Sequence, residues 1–187
     1  MRRFSVLGVI LVILVLGGIM FASAYNGLVG KREVVDNAYA NLDVMLQRRC
    51  DLIPNLVNTV KGFASHETEV IDKVTDARTK LVNANTIDEK SKANDELTSS
   101  LKALLVIVEN YPDLKSSANF TQLADELAGT ENRIAVARKS YNDAVKSYNT
   151  NIKKFPTNMV ANMFNFESAT YFEASSNASD VPQVSFD

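Results

Sequence analysis

The distribution of hydrophobic residues divides the chain into an apolar start, a long periodic middle and a polar end. Residues 4–24 are mostly aliphatic and carry no charged side chain. As an α-helix, a stretch of this length spans roughly 31 Å, which matches a hydrocarbon core of about 30 Å. The pattern predicts that residues 1–24 form an anchor and that residues 4–24 cross the lipid bilayer.

The same segment also has features of a cleaved signal peptide. Arg2 and Arg3 form a basic start, and residues 22–24 read Ala-Ser-Ala, the small-x-small pattern of a cleavage site. A retained anchor is favoured because a signal-peptide core is usually about 7 to 15 residues long. Lys31 and Arg32 follow the span and nearly balance the charges before it. We expect the amino terminus inside and the body outside the cytoplasm.

The middle of the chain has helical periodicity. Between residues 31 and 155 there are two prolines and two glycines, and apolar residues recur in steps of three and four. This pattern predicts an all-α protein built from long amphipathic helices. Pro54 predicts a helix boundary near residues 50–54, with Asp51 as the N-cap of the next helix. One kinked helix over residues 31–84 is the alternative.

Two further helices have recognisable ends. Thr86 and Glu89 form a capping box, and that helix is expected to end near Tyr111-Pro112. The fourth helix is predicted to begin with a cap at Asn119 and to be closed by Pro156. Four such helices are expected to pack as an antiparallel up-and-down four-helix bundle over residues 25–166. Residues 167–187 are expected to form a loosely ordered C-terminal tail, of which Tyr171-Phe172 and Val184-Ser185-Phe186 could pack onto the bundle.

The composition of the chain argues against several kinds of binding and catalytic site. Without the anchor, 18 basic and 22 acidic residues remain, which argues against nucleic acid as a partner. The single cysteine, Cys50, excludes an internal disulfide framework, and the single histidine, His66, argues against a histidine-based metal site. The glycines form no phosphate-binding or dinucleotide-binding loop. We therefore predict no catalytic residue, no metal and no cofactor, while a carboxylate-only metal cluster stays open.

One polar set stands out on the fourth predicted helix. Glu131, Arg138, Asn142 and Asn149 follow steps of seven, four and seven, so they share one side of a helix. They form either a solvated face or a buried or partner-facing network. Arg49 lies on an apolar phase and could pair with Glu131 in such a network. With Asp51, these residues are the candidate structural or partner-facing set.

Several ordered blocks resemble the bacterial LemA family. They are Tyr25-Asn26-Gly27-Leu28-Val29, Arg49-Cys50-Asp51-Leu52-Ile53-Pro54-Asn55-Leu56-Val57, His66-Glu67, Glu109-Asn110-Tyr111-Pro112-Asp113-Leu114, Gly129-Thr130-Glu131-Asn132-Arg133-Ile134-Ala135-Val136-Ala137-Arg138, Tyr141-Asn142, Tyr148-Asn149 and Phe155-Pro156-Thr157-Asn158. The chain departs from the family pattern at three places. Cys50 stands where the family usually has an aromatic residue, and Asn165 stands where it usually has glycine. Residues 168–170 lack the proline that is usual there. The resemblance implies a single-pass membrane protein with a helical-bundle domain and no established activity.

The family resemblance also suggests partners. Relatives include magnetosome-membrane proteins and proteins similar to those encoded near membrane-bound zinc metalloproteases, which suggests membrane protein quality control. We expect a non-enzymatic scaffold or adaptor in the bacterial cytoplasmic (inner) membrane that binds another membrane protein, for example of a metalloprotease system. The alternatives are a carboxylate-based metal-dependent hydrolase and a homo-oligomeric, membrane-shaping protein, since residues 35–84 keep a coiled-coil-like phase.

Overall fold

A computed structural model describes residues 2–64 and 66–173, with side chains from residue 8 onward. Within these ranges the chain is helical and contains no β-strand, which confirms the all-α class. The helices are α1 (Arg2–Lys61), α2 (Thr68–Asn83), α3 (Ile87–Val108), α4 (Pro112–Lys115), α5 (Ala118–Lys153) and α6 (Thr157–Met163).

The first part of α1 has the character of a membrane anchor. Its most apolar stretch has a mean hydropathy of 2.4, and none of that stretch is buried by other parts of the protein. Every side chain from Gly8 to Ser23 is exposed, and Leu28 is the first fully buried residue. Exposed aliphatic side chains over this length are suited to lipid rather than to water.

The predicted helix boundary near residues 50–54 is wrong, because α1 continues through Pro54 to Lys61. Proline has no backbone N–H, so Pro54 cannot bond to the carbonyl of Cys50 one turn earlier. The Nε of Arg78, on α2, donates to that carbonyl at 2.9 Å instead. A side chain from another helix thus compensates for the bond that proline removes.

Asp51 is consequently not an N-cap. It lies inside α1, is exposed, and accepts a hydrogen bond at 2.7 Å from the side chain of Gln47 one turn earlier. The alternative of one helix over residues 31–84 is also wrong, since a turn follows Lys61. There the amides of Phe63 and Ala64 both donate to the carbonyl of Val60, which tightens the end of α1.

Of the two other predicted helix starts, the structure contains the capping box of α3 but not the cap at Asn119. The hydroxyl of Thr86 accepts from the amide of Glu89 at 3.2 Å, and the Glu89 carboxylate accepts from the amide of Thr86 at 3.1 Å. This is the predicted capping box, and α3 ends at Val108 just before Pro112. Asn119 does not cap α5; it lies inside the helix, which begins at Ala118 because the amide of Thr121 already bonds to the carbonyl of Ser117.

The described chain forms two compact units, to which α1 and α5 both contribute. Unit 1 consists of residues 2–39 and 140–169, and unit 2 of residues 40–139 and 170–173. The interior of unit 1 is formed by Leu28, Val35, Tyr141, Val145, Tyr148, Ile152, Val160 and Ala161. Unit 2 has an aliphatic interior from α1, α2, α3 and α5, including Leu42, Ile53, Leu56, Ile71, Val74, Leu97, Leu104 and Ile134.

Candidate functional site

The most unusual buried group is the guanidinium of Arg49 in unit 2. Arg49 is 3% exposed. Its Nη1 donates to Oδ1 of Asn94 on α3 at 2.8 Å and lies 2.7 Å from Oε2 of Glu131 on α5. The pair of Arg49 with Glu131 that the sequence suggested is therefore present. One charged side chain of α1 connects two other helices.

The Arg49 cluster is incompletely satisfied. The Nε of Arg49 is buried without a hydrogen-bond partner, and Oε2 of Glu131 forms a close ion pair but no well-aligned hydrogen bond. Burial lowers the pKa of Arg49, and the charge of Glu131 partly opposes this effect. Arginine side chains keep their charge in proteins, so Arg49 is a buried cation that needs a counter-charge. An incompletely bonded buried charge costs stability.

A cavity of about 270 Å³ lies beside this cluster. Arg49 and Glu131 are in its wall, and the rest of the lining is mostly aliphatic: Leu56, Leu101, Leu105, Ala124, Leu127 and Ala128. Leu101 is buried, whereas Leu105 is 46% exposed, so the cavity opens toward the surface of unit 2 between α3 and α5. Mostly apolar walls with a small number of charged groups, here Arg49, Lys102 and Glu131, are typical of binding sites.

No arrangement for metal or nucleophilic chemistry accompanies this cavity. Across residues 2–64 and 66–173, no three His, Cys, Asp or Glu side chains are grouped closely enough to hold a metal ion. His66 is exposed in the turn between α1 and α2. Cys50 is buried, and burial raises the pKa of its thiol, which disfavours the reactive thiolate. The arrangement is suited to binding an apolar group.

Asn149 has a different role, inside unit 1. Its Nδ2 donates to the carbonyl of Ala169, and its Oδ1 accepts from the amide of the same residue, both at 2.8 Å. The neighbouring Tyr148 hydroxyl donates to the carbonyl of Glu167 at 2.9 Å. Asn149 thus uses both amide atoms to hold the chain that follows α6.

The predicted polar stripe is divided between the two units. Glu131 and the half-buried Arg138 belong to unit 2, while Asn142 and Asn149 belong to unit 1. Asn142 is half-buried and has an interaction partner. The exposed Asp51 does not join the Arg49 cluster. A partner-facing role for this set remains a prediction.

The sequence reasoning missed Asn94, which is 2% exposed and completes the Arg49 cluster. A signal for it was present, because Asn94 lies three residues before Leu97 on the apolar side of α3. It is a polar residue in an apolar phase, as Arg49 is. Two such residues on different helices indicate a buried polar contact, since buried polar groups need partners.

The described part of the segment expected to be a loosely ordered tail contacts the helices. Phe172 is fully buried in unit 2, and the hydroxyl of Ser91 donates to the carbonyl of Glu173 at 2.8 Å. Burial of Phe172 shows that this part of the segment packs onto the helices. The end of the same segment, Val184-Ser185-Phe186, lies outside the described residues.

A cluster of aromatic rings lies at the end of the apolar part of α1, inside unit 1. The ring of Phe164 is 5.9 Å from that of Phe21 and 4.8 Å from that of Tyr25, measured between centroids, and Phe166 is 5.8 Å from Tyr25. Asn165 lies between the two phenylalanines with a φ of 54°, and the Phe166 amide bonds to the Ala161 carbonyl at 2.9 Å. Asparagine tolerates this left-handed geometry better than most residues.

Together these features define a class: an all-helical protein with one N-terminal apolar helix and a body that buries an arginine beside an aliphatic cavity. The profile of the LemA family matches residues 38–186. The chain therefore belongs to the LemA family.

Curated relatives agree with this assignment. The chain is 28% identical to Magnetosome protein MamQ 2 of Paramagnetospirillum magneticum, covering 86% of this chain and 68% of the relative. It is 28% identical to Protein LemA of Metamycoplasma hominis, covering 83% of this chain and 72% of that protein. It is 27% identical to Magnetosome protein MamQ of Magnetospirillum gryphiswaldense, again over 86% and 68%. No specific molecular function follows from these names.

Proposed function

We propose that this protein is a non-enzymatic, membrane-anchored adaptor of the bacterial envelope that binds an apolar segment of another membrane protein. The cavity beside Arg49 carries this proposal. Its aliphatic wall reaches the surface at the half-exposed Leu105, and the unpaired Nε of Arg49 leaves one donor unused. An apolar side chain would fill the cavity, and a polar group next to it would satisfy that donor.

The direct attachment of unit 1 to the anchor supports an adaptor. The apolar part of α1 continues without a linker into Leu28 and Val35, which are buried in unit 1. The Nζ of Lys31 also donates to the hydroxyl of Ser147 on α5 at 3.0 Å. A body attached to a membrane meets other membrane proteins at high effective concentration, so weak contacts suffice.

The proposal includes a location. We place the retained anchor in the cytoplasmic membrane with the body on the extracytoplasmic side, where a membrane metalloprotease system of protein quality control is one partner class. The contact of Phe21 with Phe164 favours retention, because cleavage after Ala24 would remove Phe21. Protease treatment of cells with a permeabilised outer barrier checks the side. A C-terminal tag that is digested without lysis agrees with the proposal, and a protected tag contradicts it.

We also propose that α1, α2, α3 and α5 form the antiparallel up-and-down four-helix bundle expected from the sequence. Contacts within unit 2 support this arrangement: Arg49 connects α1 with α3 and α5, and Arg78 connects α2 with α1. Spin labels placed in pairs on these helices within unit 2 give distances that test the order and direction of packing.

Site-specific photo-crosslinking tests the adaptor. A photoreactive amino acid replaces Leu105 at the mouth of the cavity in the full-length chain, expressed in cells. The matched control carries it at Val44, which is also an exposed aliphatic residue of unit 2 but does not line the cavity. We expect a discrete adduct with another membrane protein from position 105 and none from position 44.

The adducts also separate the alternatives. Filling the cavity with Ala128→Phe is expected to abolish the adduct from position 105 while the protein stays folded. An adduct with the mass of two copies of this chain favours instead the alternative of a homo-oligomeric, membrane-shaping protein. Equal adducts from positions 105 and 44, or none from either, contradict the adaptor. No observation on the described residues favours the carboxylate-based hydrolase.

A further inference from the structure

The outward side of α6 carries large apolar side chains that no described residue of unit 1 covers. Val160 and Ala161 face the interior of unit 1 and are buried. Met159 and Met163, one turn apart on α6, are 61% and 66% exposed, and Phe155, in the segment between α5 and α6, is 81% exposed. Large apolar side chains grouped in this way mark an interaction surface. We call Phe155, Met159, Met163 and Phe164 the α6 patch.

The position of the α6 patch relative to the anchor indicates what covers it. Phe164 packs against Phe21 and Tyr25, which lie at the end of the apolar run of residues 4–24. A helix over that run fills the hydrocarbon thickness, so Tyr25 lies at the boundary between hydrocarbon and headgroups. Contact with these two residues sets α6 at the same depth.

The chemistry of the surrounding residues fits a membrane surface. Tyrosine is enriched at membrane–water interfaces, and Tyr25 forms one cluster with Phe164 and Phe166 at the end of the apolar run. Lys153 and Lys154, just before the α6 patch, are exposed and can contact anionic headgroups. An amphipathic helix with an apolar outer side and basic neighbours is typical of a segment that lies in the interface.

We propose that α6 is a second, interfacial membrane contact, in which the α6 patch inserts into the same leaflet that the anchor enters. Unit 1 then touches the bilayer at two points, the spanning helix and α6. The aromatic contacts of Phe164 connect these points and restrict the tilt of unit 1. The inference depends on the anchor lying in a bilayer and is independent of the adaptor function.

Tryptophan fluorescence offers a direct test, because the chain has no native tryptophan. Met163→Trp places a single fluorophore in the α6 patch of the full-length protein. The matched control is Val34→Trp, at an exposed aliphatic residue of unit 1 that is nine positions, or about 14 Å, beyond Tyr25 along α1. Each variant is reconstituted at one protein per nanodisc, with phosphatidylcholine and phosphatidylglycerol at about three to one.

The proposal predicts that brominated acyl chains quench the emission of the Met163→Trp variant and leave that of the Val34→Trp variant unchanged. Bromines at several chain positions should place the fluorophore of Met163→Trp about 5–10 Å below the headgroup boundary. Equal quenching of the two variants, or none of either, overturns the proposal. A blue shift in Met163→Trp that develops only when several copies share one disc would show that a second copy covers the patch, which also overturns it.

A second set of variants places charges in the α6 patch and uses a tryptophan at another position, so that the test does not depend on one probe. In a Phe155→Trp background, Met159→Glu with Met163→Glu should abolish quenching, because two carboxylates resist entry into hydrocarbon. Val34→Glu in the same background should leave quenching unchanged. These substituted side chains are all exposed, and circular dichroism checks that each variant keeps its helix content. Retained quenching in the double variant contradicts the proposal.

Discussion

The two units differ in how they bury polar groups. Unit 1 uses neutral partners: Asn149 exchanges two hydrogen bonds with Ala169, and the Tyr148 hydroxyl bonds to Glu167. Unit 2 buries the charged Arg49 with an unpaired Nε beside a cavity. A satisfied neutral contact stabilises a structure, whereas an incompletely paired buried charge costs stability. In the proposed adaptor, unit 1 positions the body at the membrane and unit 2 binds the partner.

The largest effect is expected from Glu131→Gln, which removes the counter-charge of Arg49. We expect the free energy of unfolding to fall by about 3 kcal/mol. This value is at the lower end of the range for removing one partner of a buried ion pair, because the Glu131 side chain is 46% exposed. Chemical unfolding of the full-length protein in detergent, followed by circular dichroism, measures the change.

Two variants check the reason for that effect. Glu96→Gln removes an exposed ion pair with Lys80 and should cost no more than about 1 kcal/mol. Adding Arg49→Met to Glu131→Gln should restore part of the lost stability, since the buried charge is gone. If Glu131→Gln costs no more than Glu96→Gln, the contrast between the units disappears.

A smaller loss is expected from Asn149→Ala in unit 1. The amide and carbonyl of Ala169 lose their partners, so the free energy of unfolding should fall by about 2 kcal/mol. Asn151→Ala on the same helix removes only a bond to the Ser147 carbonyl and should change stability by less than about 0.5 kcal/mol. Amide hydrogen exchange should become faster at residues 167–169 in Asn149→Ala. Unchanged exchange there would show that Asn149 does not hold this segment.

Removing the N-cap of α3 changes unit 2 at one helix end only. Thr86→Ala is expected to cost about 1 kcal/mol, because the amide of Glu89 loses its acceptor. Hydrogen bonds from the amides of Asn85 and Thr86 lower the pKa of Glu89 below its ordinary value of about 4.3. The part of the stabilisation that comes from the Glu89 carboxylate is thus complete above that pH and is lost as pH falls through the lowered pKa, whereas the bond to the Thr86 hydroxyl does not titrate. Thr79→Ala, inside α2, is the neutral control, and equal losses for both would exclude a cap effect.

The smallest effect concerns Cys50. Burial raises the pKa of its thiol, so the folded protein keeps a proton that the unfolded chain releases above about pH 8.5. Stability should therefore fall as pH rises from about 7.5 to about 9, by less than about 1 kcal/mol from this group. The pH dependence of unfolding in Cys50→Ala should be shallower by that amount. Identical pH dependence in the two proteins would contradict the assignment.

One local signal in the sequence was reliable because the groups that decide it are neighbours along the chain, whereas the local caps predicted at Asp51 and Asn119 were wrong. Thr86 and Glu89 cap α3 through bonds three residues apart, so the pattern alone located the helix start. Arg49 was recognisable as a polar residue in an apolar phase, so a pair with a carboxylate such as Glu131 was one of two open readings, and the structure contains that pair.

Where a distant group decides, the sequence was insufficient. Pro54 normally ends a helix, but Arg78, which folding brings to the Cys50 carbonyl, satisfies the group that proline leaves unpaired. The contact of Phe164 with Phe21 and Tyr25 depends on the left-handed turn at Asn165. Periodicity thus determined the all-α class and the apolar anchor, because hydrophobic phase is a local property. Only the tertiary structure decided the course of α1, the cavity beside Arg49 and the position of α6, since each depends on side chains far apart in the chain.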